Sequence, residues 1–289
     1  MSVDSLQEKI RKKKNPTMLL LACGEGELPP QLSPEKTKAQ RYAVYYKAVL
    51  EELKDLVPAV RVSFSAFAML GAEGLMELPE VLKTAANLGY YVVLDAPQML
   101  SAQAANQTAR ALFAEENPYG FDALVIPSYL GSDIMKPFLT ASKKQKKDLF
   151  VVARTGNRSA SEMQDLLTGS RLVHMAAADH VNRYAGDSIG RHGFSQLGIL
   201  AGASSADSLR LLRSTYPQLV MLLDGGDDPN ANAKNCSNAF DRFGHGAAAC
   251  IGSSVLEAWL KEPEADWQPQ IRAAAERMKK NMNRYLIIL

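Results

Sequence analysis

Residues 90–105 read Tyr-Tyr-Val-Val-Leu-Asp-Ala-Pro-Gln-Met-Leu-Ser-Ala-Gln-Ala-Ala. Tyr90 to Leu94 is a short apolar run, the signature of a strand buried on both faces. It delivers Asp95 into a loop. Pro97 forces an exit from the strand direction, and Ser101 offers an N-cap to a helix that runs to Phe113. This is one βα unit of a parallel α/β fold. Such folds bind ligands beyond the carboxyl ends of their strands, so Asp95 is the first candidate catalytic residue. The residues that follow it, Pro97, Gln98, Met99 and Leu100, are poor at chemistry.

The unit repeats along the chain. Apolar runs predict strands at Met18–Ala22, Ala59–Phe64, Tyr90–Asp95, Ala123–Pro127, Leu149–Arg154, Gly198–Ala201, Leu219–Leu223 and Ala247–Ile251. Helical spacing or cap signals predict helices between them: 4–14 (Asp4 as N-cap, Glu8 and Lys12 four apart), Lys36–Leu56, Leu75–Leu88, Ser101–Phe113 and Ser132–Lys143. Further helices are predicted at Ala160–Leu167, His174–Tyr184, Ala206–Thr215 (Ser204 as N-cap), Ala231–Phe243 and Asp266–Tyr285. Eight buried strands alternate with helices over 289 residues without a composition break. The class is therefore α/β, and the architecture a closed (β/α)8 TIM barrel. A single domain covers 1–289, with an N-terminal helix at 1–14 and a closing helix at 266–285.

Composition narrows the function. A net charge of +2 gives no reason to expect nucleic acid or a membrane as partner. The run Lys9–Lys14 (KIRKKK) reads as a solvated helix face, stopped by Asn15-Pro16. The three cysteines, Cys23, Cys236 and Cys250, form no C-x-x-C, and only four histidines are present. A disulfide framework or structural zinc is not expected, and a reducing cytoplasm suits the chain. No signal peptide is expected, and no run approaches the roughly 18 apolar residues a membrane span needs.

In a barrel the strand ends share one rim: Ala22, Arg61, Asp95, Pro127, Arg154-Thr155, Ala201-Gly202, Asp224-Gly225 and Cys250-Gly252. Candidates on it are Arg61, Asp95, Arg154, Thr155, Asn157 and the acidic group Asp224, Asp227 and Asp228. Arg61 and Asp95 fit either a salt bridge between neighbouring strands or a site. Gly225-Gly226-Asp227-Asp228 fits a surface turn or an oxygen-ligand site for a divalent cation, and its acids disfavour phosphate. Ser204-Ser205 and Ser253-Ser254 lack the spacing of a nucleophile elbow. Cys23 has no histidine beside it in sequence.

The segments Asn15-Pro16-Thr17, Val92–Ala96 (VVLDA), Tyr129–Phe138 (YLGSDIMKPF), Val151–Leu166 (VVARTGNRSASEMQDL), Gly193–Ser204 (GFSQLGILAGAS) and Ala239–Ile251 (AFDRFGHGAAACI) follow one another in a known order. In that order the chain resembles the orotidine 5′-monophosphate decarboxylase family, in its longer bacterial form, nearly end to end. The resemblance implies a (β/α)8 barrel, a homodimer with sites at the subunit interface, a nucleotide ligand, and a lyase that uses neither cofactor nor metal. The family's Asp-x-Lys-Arg-x-Asp motif places its first Asp on Asp95. Its proton-donating Lys falls on Pro97 and its second Asp on Leu100. The Lys of the second strand falls on Arg61, and the ribose Asp on Ala22. The phosphate loop falls on Asp224–Ala231, with Pro229 in place of its Gln and Asp227 and Asn230 in place of two glycines. The phosphate Arg falls on Ser253. What survives is Arg154, Thr155, Asn157 and Gly225 as substrate-binding candidates, with Asp95 and Arg61 as catalytic remnants. The expectation is a family member inactive, or nearly so, on orotidine monophosphate. The alternative is an active lyase with an altered site, or a different phosphorylated or metal-bound ligand.

Overall fold

In the computed structural model, residues 2–22, 28–32, 36–226 and 232–288 are described. The predicted Cys23, Asp227, Asp228, Pro229 and Asn230 lie outside them. The strands are β1 Thr17–Leu21, β2 Ala59–Ser63, β3 Tyr91–Asp95, β4 Ala123–Ile126, β5 Asp148–Val152, β6 Leu197–Gly202, β7 Val220–Asp224 and β8 Ala247–Ile251. Every neighbouring pair is parallel, and β8 returns to β1, so the sheet is a closed eight-stranded barrel. The (β/α)8 expectation holds.

Alternation along each strand builds two cores. Val60, Val62, Val92, Leu94, Met221 and Leu223 point outward into the helix layer. Ala59, Tyr91, Val93, Phe150, Val220 and Leu222 fill the interior. Gly198 belongs to that interior for a steric reason, since a Cβ there would sit 2.5 Å from the Phe150 ring.

The helices are α1 Ser2–Lys13, α2 Lys38–Leu53, α3 Phe64–Ala68, α4 Gly71–Asn87, α5 Ala102–Leu112, α6 Ser132–Gln145, α7 Ala160–Met163, α8 Val173–Ala185, α9 Ala206–Thr215, α10 Ala233–Ser237, α11 Ser253–Leu256 and α12 Trp267–Asn283. α1 closes the barrel's amino-terminal end with Val3, Leu6 and Ile10, all buried against the interior core. Asn15 secures that arrangement. Its amide donates to Leu56 O (2.8 Å), and its Oδ1 accepts from the Thr17 N–H and hydroxyl.

Several local expectations need correction. Asp4 lies inside α1, buried, and accepts from the His192 N–H instead of capping the helix. Glu8 pairs with Arg191 and His192 and not with Lys12. Lys13 is not a solvated charge, because its ammonium donates to Val57 O and burial draws its pKa down to about 8. Phe64 starts α3 instead of ending a strand. α9 is capped by Ser205, not Ser204. The helix predicted over 160–167 stops at Met163, and a two-stranded hairpin follows at 167–172, turning at Gly169 (φ +65°). The helix predicted over 231–243 shrinks to Ala233–Ser237. There the Asp241 carboxylate accepts from the N–H groups of Phe243 and His245 and holds a turn in place of a helix.

At the α1 end of the interior, Asp148 accepts from the Tyr91 hydroxyl (2.5 Å), and its Oδ1 is buried with no hydrogen-bond partner. Burial pushes this carboxyl up to about 7. The folded protein then holds a proton that the unfolded chain, near 3.8, releases. That contribution is complete below about pH 4 and is lost as pH rises to about 7. We expect the stability of wild type relative to Asp148→Asn to fall by on the order of 3 kcal/mol between pH 4 and 7, then to level off. Urea midpoints across that range check this, and a flat difference contradicts it.

Candidate functional site

β3 and β7 end in Asp95 and Asp224, which face the barrel mouth, whereas Arg61, expected at a strand end, is the middle residue of β2, which runs on to Ser63. Arg61, on β2, alternates with the outward Val60 and Val62. Its Nε donates to Asp95 Oδ1 at 2.7 Å, and one terminal nitrogen donates to Asp224 Oδ1 at 2.7 Å. β2 and β7 are separated by β1 and β8 in the ring, so Arg61 lies across the mouth. The side chains are 10%, 21% and 26% exposed for Arg61, Asp95 and Asp224, so the group is sheltered but reachable by solvent. Burial raises the Asp95 carboxyl above its ordinary value, outweighing the pull of Arg61, and Asp224 adds to the rise. Arg61 is held well above its own ordinary value by Asp95, with Cys250 and Asp224 contributing, against the opposing effect of burial. It is a fixed cation and gives up no proton.

The segment after β5 forms the next part of the rim. Arg154 makes a two-pronged bond to Asp165 (Nε to Oδ1 and a terminal nitrogen to Oδ2, both 2.9 Å) and also donates to Thr155 O. The Arg154 hydrogen bond holds the Asp165 carboxyl below the usual range. His174, wholly buried, lies 3.1 Å from the same Asp165 and 2.9 Å from Gln164 O. Gln164 clasps Thr155 from both ends: its Oε1 accepts from the Thr155 N–H (2.7 Å), and its amide donates to the Thr155 hydroxyl (2.8 Å). The Thr155 hydroxyl also bonds Asn157 Oδ1 at 2.5 Å. Arg154 and Thr155 are therefore held by Asp165 and Gln164, and the sequence reading named neither of these as a site residue.

Glycines let the rim segments touch. A Cβ at Gly156 would lie 2.8 Å from Asp224 O, and one at Gly202 would lie 2.4 Å from Thr155 O. Gly225, at φ +72°, packs against Gly156. The predicted residues Asp95, Arg61, Gly225, Thr155 and Asn157 thus stand on one continuous rim, joined through Asp224 and Gly156. Arg154 is joined to it at Gly202. Asp224, which the sequence reading set at a strand end beside the Gly225–Asp228 turn, reaches Arg61 from the far side of the mouth. Its signal was its position, the last inward residue of an apolar strand, as Asp95 is.

The β3 loop brings no ionisable group to this rim. Pro97 is half-buried, Met99 is buried and Leu100 is 88% exposed. Ser253, after β8, opens α11 and is exposed. Cys250 is buried in the interior beside Met18, with a thiol pushed up to about 12 by burial. Cys236 and Cys250 are both free. Among the described residues no group of three or more His, Cys, Asp or Glu is placed to hold a metal ion. No described helix is long and apolar enough to cross a membrane.

No family model matches the chain. The orotidine 5′-phosphate decarboxylase of Rhodopirellula baltica is 26% identical over 254 residues, covering 84% of this chain and 84% of that protein. That of Clostridium novyi is 22% identical over 286 residues, 98% of each. The solved OMP decarboxylase of Leishmania donovani, 25% identical, covers 99% of each chain with a TM-score of 0.75. The barrel, the motif order and these relatives agree, and along nearly its whole length the chain is similar to the orotidine 5′-phosphate decarboxylases.

Proposed function

We propose that the chain keeps the decarboxylase barrel and has lost, wholly or nearly so, the reaction on orotidine 5′-monophosphate. The observation that carries this reading is at the mouth. The cation there is Arg61, pinned between Asp95 and Asp224, and the β3 loop offers Pro97 and Leu100 where the resemblance calls for a lysine and an aspartate. Loss of carbon dioxide leaves a carbanion that needs a proton donor within reach. A prolyl amide nitrogen has no proton. A guanidinium held by two carboxylates keeps its own. Leucine brings no charge to act on the leaving carboxylate. Groups that work as a unit lose most of the rate when one is removed.

Phosphate recognition is weakened by the same logic. Ser253 stands where the family carries an arginine, and Asp224 turns a carboxylate toward the rim. A small molecule other than the nucleotide is the ligand class this mouth suits, with no cofactor and no nucleic acid. We place the protein in the cytoplasm as a homodimer. Exposed Met69 and Leu100, with a depression lined by Phe64, Pro97 and Gln98, support an apolar contact on the β2–β3 side. Light scattering should then give twice the 31.5 kDa chain mass. A monomer at micromolar concentration contradicts the dimer.

Thermal unfolding with millimolar uridine or orotidine monophosphate tests the lost nucleotide site. A ligand at about 100 times its Kd stabilises by about 2.7 kcal/mol, several degrees in Tm. We expect no shift. A rise of that size contradicts the reading.

A further inference from the structure

On the outer side of β8, bordered by Gly226 just beyond β7, lies a cavity of about 550 Å³. Ala249 and Ile251 form part of its floor. They alternate with Ala248 and Cys250, which face the interior, so this floor is the outer face of β8. Cys236 from α10 and Met278 and Met282 from α12 complete it. Cys236 and Met282 are 3% exposed, and nothing ionised sits among these groups, since burial pushes the Cys236 thiol up to about 11.

The rim of the cavity has the opposite character. Lys234 and Arg284 stand on it, both exposed, and no ion pair engages either among the described residues. Asn281 and Ser254 add neutral hydrogen-bonding groups. An apolar floor under two cations is complementary to one chemical class. The size falls in the range of small-molecule sites, roughly 300–1,000 Å³. Two methionines make the floor adaptable in shape.

We propose that this cavity is a binding site for a small amphipathic anion, an aromatic or branched-aliphatic carboxylate or sulfonate. The apolar body lies on Ala249, Ile251 and Met282, and the anionic head meets Lys234 and Arg284. The cavity borders the mouth loops at Gly226 and Ser254, but its floor faces the helix layer and shares no residue with the Arg61–Asp95–Asp224 group, so the proposal stands whether or not the mouth retains any turnover.

The test uses the full chain and 2-naphthoate as probe, followed by isothermal titration calorimetry. The expected result is saturable one-to-one binding. The uncharged 2-naphthalenemethanol should bind about tenfold more weakly or worse. The double variant Lys234→Ala/Arg284→Ala should lose about tenfold or more, because the head group loses its charged donors. Asn281→Trp, which places an indole over the opening from exposed helix surface, should abolish binding. All three positions are exposed, and an unchanged Tm in each variant separates lost binding from lost folding. No saturable binding at millimolar probe overturns the proposal, as does full-strength binding retained in either variant or by the uncharged probe.

Discussion

Replacing Arg213 by methionine is expected to lower the stability of the fold by about 4 kcal/mol. Arg213 sits in the last turn of α9, 9% exposed, and faces no carboxylate in contact. Its guanidinium instead donates to four backbone carbonyls: Ala239 O (2.7 Å), Pro217 O (3.0 Å), Leu219 O (3.0 Å) and Gly246 O (2.6 Å). These lie where the chain enters β7 and β8, so one side chain fastens both strands at the end of the barrel opposite the mouth. Phe194 packs 5.9 Å away and helps exclude water. Burial draws the guanidinium down to about 10, which still leaves it charged at neutral pH. Methionine keeps much of the volume but takes the donor from four carbonyls; Gly246 O keeps the Met221 N–H, and the other three lose a partner at about 1–3 kcal/mol each, less where water reaches them. Lysine, with three donors and no planar fork, should recover about half of the loss. Urea midpoints at unchanged m-value measure both variants. A loss under about 1 kcal/mol contradicts this account of the fastening.

The second large effect belongs to the mouth. Arg61→Met should cost about 3 kcal/mol at pH 8, because it leaves Asp95 and Asp224 sheltered together without a cation. The sign of the pH dependence follows from the carboxyls. Asp95 already lies above its ordinary value through burial, and removing Arg61 takes away the main force that lowers it. The variant's Asp95 carboxyl therefore holds its proton in the folded state at pH values where the unfolded chain has released it. The deficit is smallest near pH 4–5 and grows as pH rises through the raised folded value. Midpoints for wild type and variant at pH 5 and pH 8 check this. A deficit that is constant, or larger at pH 5, contradicts the Asp95–Arg61–Asp224 arrangement.

Much of this barrel is legible in the sequence because its strands are short apolar runs set between helical or cap signals. β8 falls where its apolar run predicts, at Ala247–Ile251, and β3 falls within one residue. What escapes is set by contacts distant in sequence or by side chains that compete for the backbone. The α7 helix is cut short where Gln164 turns back onto Thr155. The segment after α10 is bent by Asp241. Within the site, Asp95 is visible as the polar end of an apolar strand and Arg61 as a lone cation inside one. Their pairing with Asp224 is not, because β2 and β7 become neighbours across the mouth only when the barrel closes. Likewise Arg154 looks like a free cation in sequence, and its partner Asp165 emerges only from the way the 155–165 segment folds back.

The central claim is that this mouth no longer decarboxylates orotidine 5′-monophosphate. The direct measurement follows the absorbance of that nucleotide with purified protein at micromolar concentration. The account predicts no change above the protein-free control over hours. Turnover in the ordinary enzyme range, roughly 1–1,000 s⁻¹, would contradict it.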